Sequence, residues 1–165
     1  MFQKLRSDLV TELNPIRLLL VNADAFSPNG HGPQLNPALN GRTIELLREE
    51  GVLCVAFSGA KSEDISSVAE SLGIELHEAV TEKESFYAKM KSEFSLTDNE
   101  IALICRDEGD IEIMKKVSFS AVTPEASLEV KACSYYAAYG VGSHAVHEIA
   151  ELIIKAKRYP DGWSE

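Results

Sequence analysis

The stretch RLLLVNADAFSPNG, residues 17–30, decides the reading of the fold. A basic residue leads a run of large aliphatics. The run closes on two short polar side chains, Asn22 and Asp24, one residue apart. Short, continuously apolar runs suit strands covered on both faces, and polar residues at the end of such a run mark a strand tip that opens into a crevice.

Working outward, further apolar runs occupy 52–57 (VLCVAF), 101–105 (IALIC) and 119–122 (FSAV), with weaker ones at 74–79 and 134–139. Amphipathic segments separate them. Residues 42–51 end on Gly51, a helix stop. Residues 61–74 place Ile65, Val68, Ala69 and Leu72 on one face, and 82–94 place Phe86, Met90 and Phe94 together. Helices are also expected over 109–117 and over 124–132, the latter with Pro124 at its start. The longest, 143–159, turns Val146, Ile149, Ala150 and Ile153 inward. Before the first strand, residues 1–15 read as an amphipathic helix carrying Leu5, Leu9 and Leu13.

Strand and helix in alternation give an α/β fold, a three-layer, doubly wound (Rossmann-like) parallel sheet with helices on both faces. The chain divides into the N-terminal helix 1–15, one domain over 16–157 without a large cap, and a tail over 158–165 that holds Trp163, the only tryptophan. A Pro, Gly and Asn-rich stretch, 28–41, is the one long loop.

Composition bounds the partners. The chain has 165 residues, 45% hydrophobic and 25% charged, with a net charge of −10 and scattered Lys and Arg. Nucleic acid and anionic membranes need a concentrated cationic surface, so neither is expected as a partner. No apolar run reaches the ~18 residues of a membrane span, and the N-terminus lacks the apolar core of a secretory signal. A cytoplasmic location is expected. Cys54, Cys105 and Cys133 lie far apart without metal-ligand spacing, and are expected as buried small hydrophobes in a reducing compartment.

In doubly wound sheets the ligand crevice lies at the C-terminal ends of the strands. Four tips supply the candidates. They are Asn22, Asp24 and Ser27 after the first run, Ser58 and Gly59 after the second, Lys83 at the start of the helix 82–94, and Arg106, Asp107 and Asp110 after IALIC. Carboxylates, a small hydroxyl and a lysine on one edge outline a phosphate-handling constellation.

These motifs, in this order, resemble the haloacid dehalogenase (HAD) superfamily, and within it the small capless phosphatases of the 3-deoxy-D-manno-octulosonate 8-phosphate phosphatase type. LLLVNADAF matches the first motif, VAFSGAKS (55–62) the second with Ser58, TEKESFYAKM (81–90) the third with Lys83, and IALICRDEGDIEIM (101–114) the fourth ending in Asp110. YGVGSHAVHEIAELI (139–153) resembles the glycine-rich segment before the last helix. The resemblance implies an aspartate nucleophile at the position of Asn22 and an acid/base aspartate at Asp24. It implies phosphate held by Ser58, Gly59 and Lys83, and Mg²⁺ held by the nucleophile, a backbone carbonyl and an acidic residue of the fourth motif.

The sequence departs from that pattern at four places. Asn22 replaces the nucleophile with a neutral carboxamide. Cys105-Arg106 stands where the family has Gly-Asp, Asn40-Gly41 where it has Asp-Gly, and Ser143 where it has arginine. A guanidinium at Arg106 suits the carboxylates of Asp24, Asp107 and Asp110, so a metal-free pocket held by an Arg–Asp network is expected, with Asn22 as a hydrogen-bond partner. The resemblance also implies a tetramer built through a β-hairpin. Only about ten residues separate Gly30 from Asn40, and they include Pro33 and Pro37, so that assembly is not expected, although another homo-oligomer is compatible with the sequence.

Bland readings stand beside these. Asp24 serves as a turn former rather than a retained acid/base residue. Ser58 and Lys83 are either anion ligands or a strand-end hydroxyl and a surface lysine. Asp107 and Asp110 are partners of Arg106 and helix caps before they are metal ligands. His144 and His147 lack a third ligand in sequence, and Tyr135, Tyr136 and Tyr139 either line a pocket or simply pack. The reading that follows is a phosphatase-like fold with impaired catalysis, binding a small phosphorylated ligand or a protein partner, with no metal and no cofactor. The alternative is an active Mg²⁺-dependent phosphatase on a sugar phosphate such as 3-deoxy-D-manno-octulosonate 8-phosphate.

Overall fold

The structure, a computed structural model, describes residues 7–26 and 41–160. The expectations for Leu5, Ser27, the 28–40 loop with its prolines, Asn40 and Trp163 lie outside the described residues. Six strands form one parallel sheet: β1 (Leu18–Asn22), β2 (Leu53–Phe57), β3 (Glu75–His77), β4 (Ile101–Cys105), β5 (Phe119–Val122) and β6 (Tyr136–Ala137). Their order is β3-β2-β1-β4-β5-β6, and every pairing is parallel. The helices are α1 (Ser7–Leu13), α2 (Gly41–Glu49), α3 (Glu63–Leu72), α4 (Lys83–Phe94), α5 (Ile111–Met114), α6 (Leu128–Cys133) and α7 (Ser143–Arg158).

The central strands β1, β2, β4 and β5 are almost entirely apolar because both their faces are covered, whereas the edge strands β3 and β6 are partly exposed. Side chains alternate across the sheet. Leu19, Val21, Cys54, Ala56, Ala102, Ile104, Phe119 and Ala121 join one core with α1, α2, α3 and α7. Leu18, Leu20, Val55, Phe57, Leu103, Cys105 and Val122 join the other with α4, α5 and α6. Helix α3 carries matched signals at both ends. The Ser62 hydroxyl accepts from the Ile65 N–H, and Gly73 closes the helix at φ 74°.

Two helices are shorter or displaced. The fourth-motif segment spends Glu108–Asp110 on a 3₁₀ turn, which leaves only Ile111–Met114 as α-helix. Pro124 does not open a helix. It sits inside a turn closed by the Ala126 N–H on the Thr123 carbonyl, and α6 starts four residues later with Ser127 accepting from the Val130 N–H. A side-chain cap outranked a proline that merely tolerates a first turn. Cys133 is also corrected: it is exposed, whereas Cys54 and Cys105 are buried. Burial pushes the Cys54 thiol up to about 12, and pushes the Cys105 thiol up as well, with the Asp110 charge adding to it. Both are inert packing residues.

The chain leaves β1 toward β2 on one side and returns to β4 on the other. The point where strand order reverses lies between β1 and β4. Their C-terminal tips carry Asn22 with Asp24, and Arg106 with Asp107, so the crevice expected of such a sheet lies between the candidate residues. No helix among the described residues is long and apolar enough to cross a membrane.

Candidate active-site crevice

Asn22 ends β1 opposite Phe57 and is fully buried. Its carbonyl oxygen Oδ1 accepts from the Asp24 N–H at 3.0 Å, capping the 3₁₀ turn Ala23–Phe26. That bond fixes the orientation of the amide. Its Nδ2 therefore points at Asp110 and donates to Oδ2 at 2.8 Å.

Asp110 has no exposed surface, and both of its oxygens are held by N–H donors. Oδ2 accepts from Asn22, from the Arg106 N–H at 2.8 Å and from the Asp107 N–H at 3.3 Å. Oδ1 accepts from Lys83 Nζ at 2.9 Å. Lys83 also donates to Asp107 Oδ1 at 3.1 Å, an oxygen that caps the next turn by accepting from the Gly109 N–H. Lys83 is the first residue of α4, where the helix macrodipole disfavours a cation. Two carboxylates offset that cost. Burial pulls the Lys83 pKa down, but the charge and hydrogen bond of Asp110, with those of Asp107, outweigh it and hold the ammonium above its ordinary value.

The second half of the site sits beside this network. Ser58, buried at the tip of β2, donates through Oγ to Asp24 Oδ1 at 3.0 Å and accepts from the Ala60 N–H at 3.4 Å. Gly59 follows in the open, where a Cβ would meet nothing closer than the Val80 carbonyl at 3.9 Å. Asn22, Asp24, Ser58, Lys83, Asp107 and Asp110 thus converge through direct hydrogen bonds, with Gly59 adjoining Ser58.

Arg106 corrects the sequence reading. Its backbone N–H joins the network, but among the described residues its guanidinium forms no ion pair with Asp24, Asp107 or Asp110. The cation in that role is Lys83. Strand alternation gives the reason. Continued one residue past β4, it puts Arg106 on the face of Ala102 and Ile104, and Asp107 on the opposite face with Leu103 and Cys105, toward α4. The Arg106 Nε is buried without a hydrogen-bond partner.

The four tips named from sequence omit a fifth. Thr123 and Glu125 follow β5 in the same way that Arg106 follows β4, and polar residues directly after FSAV were the signal. The other candidates serve structure. His147 Nε2 faces Glu151 Oε1 at 3.2 Å on its own helix, and no group of three His, Cys, Asp or Glu side chains among the described residues is placed to hold a metal ion. The Tyr135 and Tyr136 rings pack on Phe119. Glu148 gathers Tyr136 Oη and the Tyr139 and Gly140 N–H groups, pinning the loop before α7.

The chain matches no protein-family model and no curated protein sequence. Its architecture is closely similar to solved structures. A protein from Legionella pneumophila assigned to the HAD superfamily, subfamily III A, superposes with a TM-score of 0.80 at 21% identity, over 93% of this chain and 90% of that one. The 3-deoxy-D-manno-octulosonate 8-phosphate phosphatase of Yersinia pestis gives 0.80 at 21% over 96% and 92%. The enzyme of the same name from Moraxella catarrhalis, solved with magnesium, phosphate and KDO, gives 0.81 at 20% over 94% and 95%. Six parallel strands, helices on both faces and the crevice at the β1–β4 switch give this chain the fold of the HAD superfamily hydrolases, the 3-deoxy-D-manno-octulosonate 8-phosphate phosphatases among them.

Proposed function

We propose that this chain keeps the HAD fold without metal-dependent phosphoryl transfer, and that its crevice works as a binding pocket for a small anionic ligand. The observation that carries the reading is the buried contact of Asn22 Nδ2 with Asp110 Oδ2. An amide N–H cannot ligate Mg²⁺, which takes oxygen donors. The second Asp110 oxygen is occupied by the Lys83 ammonium. The donor set therefore does not fit the ion that the fold implies. A carboxamide is also too weak a nucleophile to form the acyl phosphate of this reaction class.

The residues that remain suit binding. The Ser58 hydroxyl, the Gly59 backbone and the Lys83 ammonium offer donors on one side of the crevice. A bound phosphate would compete with Asp24 for the Ser58 hydroxyl and with Asp107 and Asp110 for Lys83, so binding is weaker than at a site with free donors. A protein partner docking over the same crevice is the other form of this reading.

Retained catalysis is the second reading. It is favoured by the bond between Ser58 and Asp24, the residue at the acid/base position, and by the Moraxella catarrhalis structure with magnesium and phosphate. Hydrolysis of a chromogenic phosphate ester and of a panel of sugar phosphates, with Mg²⁺ present, separates the two. The native protein is expected to show none above the buffer rate. Turnover that is abolished by Asp24→Asn would establish catalysis with a different nucleophile.

A further inference from the structure

The tips of β4 and β5 hold a set of buried polar atoms that make no hydrogen bond among the described residues. The strands run in parallel register, with Ile104 opposite Ala121 and Cys105 opposite Val122. One step further, Arg106 stands beside Thr123, and the turn after Thr123 brings in Glu125. Thr123 is fully buried, and its Oγ1 has no hydrogen-bond partner. The Arg106 Nε and both carboxylate oxygens of Glu125 are likewise buried and unpartnered.

This is costly, and the cost is avoidable. A buried polar atom without a partner loses its hydration for nothing, and charged groups lose most. A guanidinium and a carboxylate on neighbouring strand tips could pair with each other, yet among the described residues no ion pair forms between Arg106 and Glu125. Both charged groups, and the hydroxyl of Thr123 with them, keep buried atoms that make no hydrogen bond. A buried guanidinium N–H, a hydroxyl and a two-oxygen acceptor on neighbouring strand tips match a molecule carrying its own opposite charges. The ligand's carboxylate would meet Arg106, its ammonium would meet Glu125, and Thr123 would bridge.

Resting on the reading of the crevice as a binding pocket, we infer that the β4–β5 side of it, Arg106, Thr123 and Glu125, binds a small zwitterion of the α-amino acid class. The neighbouring Lys83 side is already occupied by Asp107 and Asp110. Recognition by both charges rejects simple carboxylates and simple amines, each of which would leave one buried charge unpaired.

Thermal melting of the native protein with each of the twenty amino acids in turn tests this, with acetate, methylamine and inorganic phosphate as separate arms. At least one amino acid should raise Tm by about 5–10 °C at a hundredfold excess over its Kd, while acetate and methylamine do nothing. Glu125→Gln and Thr123→Val should each remove the rise. Backbone NMR shifts of the native protein on titration should change at Thr123–Ala126, a readout independent of any variant's folding. A rise with phosphate and with no amino acid would overturn this inference and leave the anion-binding reading standing. Responses to acetate equal to those of the amino acids would overturn it too, as would an undiminished rise in Glu125→Gln.

Discussion

The side-chain amide of Asn22 and the ammonium of Lys83 hold the two oxygens of one buried carboxylate, Asp110, at 2.8 Å and 2.9 Å. One neutral donor and one cation, arriving from β1 and from the first residue of α4, satisfy both oxygens of this carboxylate from within the chain. The behaviour of the site follows from that arrangement.

Asn22→Asp should be destabilising in metal-free buffer. It exchanges a donor for a second carboxylate within hydrogen-bonding distance of Asp110 and adds buried charge that Lys83 alone must offset. A loss of about 2 kcal/mol, or a fall of roughly 4–8 °C in Tm, is expected by calorimetry.

Lys83→Met should cost about 3–5 kcal/mol, because it leaves Asp110 charged, buried and without its cation. The pH dependence carries a sign. The folded-state pKa of Lys83 lies above its ordinary value. Its contribution is therefore complete below the unfolded lysine pKa of about 10.4 and is lost as pH rises through the folded value. Urea unfolding of the native protein should show stability falling above about pH 10.4, and in Lys83→Met that part of the slope should disappear.

Tyr87→Phe should cost about 1 kcal/mol. The buried ring donates through Oη to Asp98 Oδ1 at 2.6 Å, and Lys91 Nζ reaches the same oxygen at 2.9 Å. That hydrogen bond, followed by the one from Lys91, holds the Asp98 pKa below its usual value. The stabilisation is therefore present above the unfolded aspartate pKa of about 3.9 and is lost as pH falls through the folded value. The variant should lose less stability than the native protein on acidification through that range, as read by circular dichroism.

Gly140→Ala should destabilise the last helix. A Cβ there would stand 2.7 Å from the backbone carbon of His144 and 2.8 Å from the Ala145 nitrogen, neither of which can give way. The loop cannot retreat, because Glu148 holds the Gly140 N–H at 2.9 Å. About 1–3 kcal/mol is expected, visible as faster hydrogen exchange over Ser143–Ile149.

The sheet was legible because its central strands β1, β2, β4 and β5 are almost entirely apolar, a pattern that fits a parallel sheet and little else at this length. The tips were legible for the same reason, since a polar residue directly after such a run stands out. Pairing was less legible. Sequence spacing put Arg106 among the carboxylates, but strand alternation sends its side chain to the other face and leaves the role to Lys83, 23 residues earlier in the chain (106 − 83). The bond of Ser58 to Asp24 spans 34 positions and has no local signal. The start of α6 was misplaced because Pro124 and Ser127 both announce helices, and only the hydrogen bond to Val130 decides between them. The burial of Glu125 depends on how its turn packs, which no period in the sequence encodes.

The central claim is that Asn22 and Lys83 satisfy Asp110 in a way that leaves no place for a divalent cation. Thermal melting of the native protein and of Asn22→Asp across a Mg²⁺ titration tests it most directly. A flat native Tm is expected, with a concentration-dependent rise in the variant, as when an ion binds only the folded state. A native Tm that climbs with Mg²⁺ as steeply as that of the variant would contradict it.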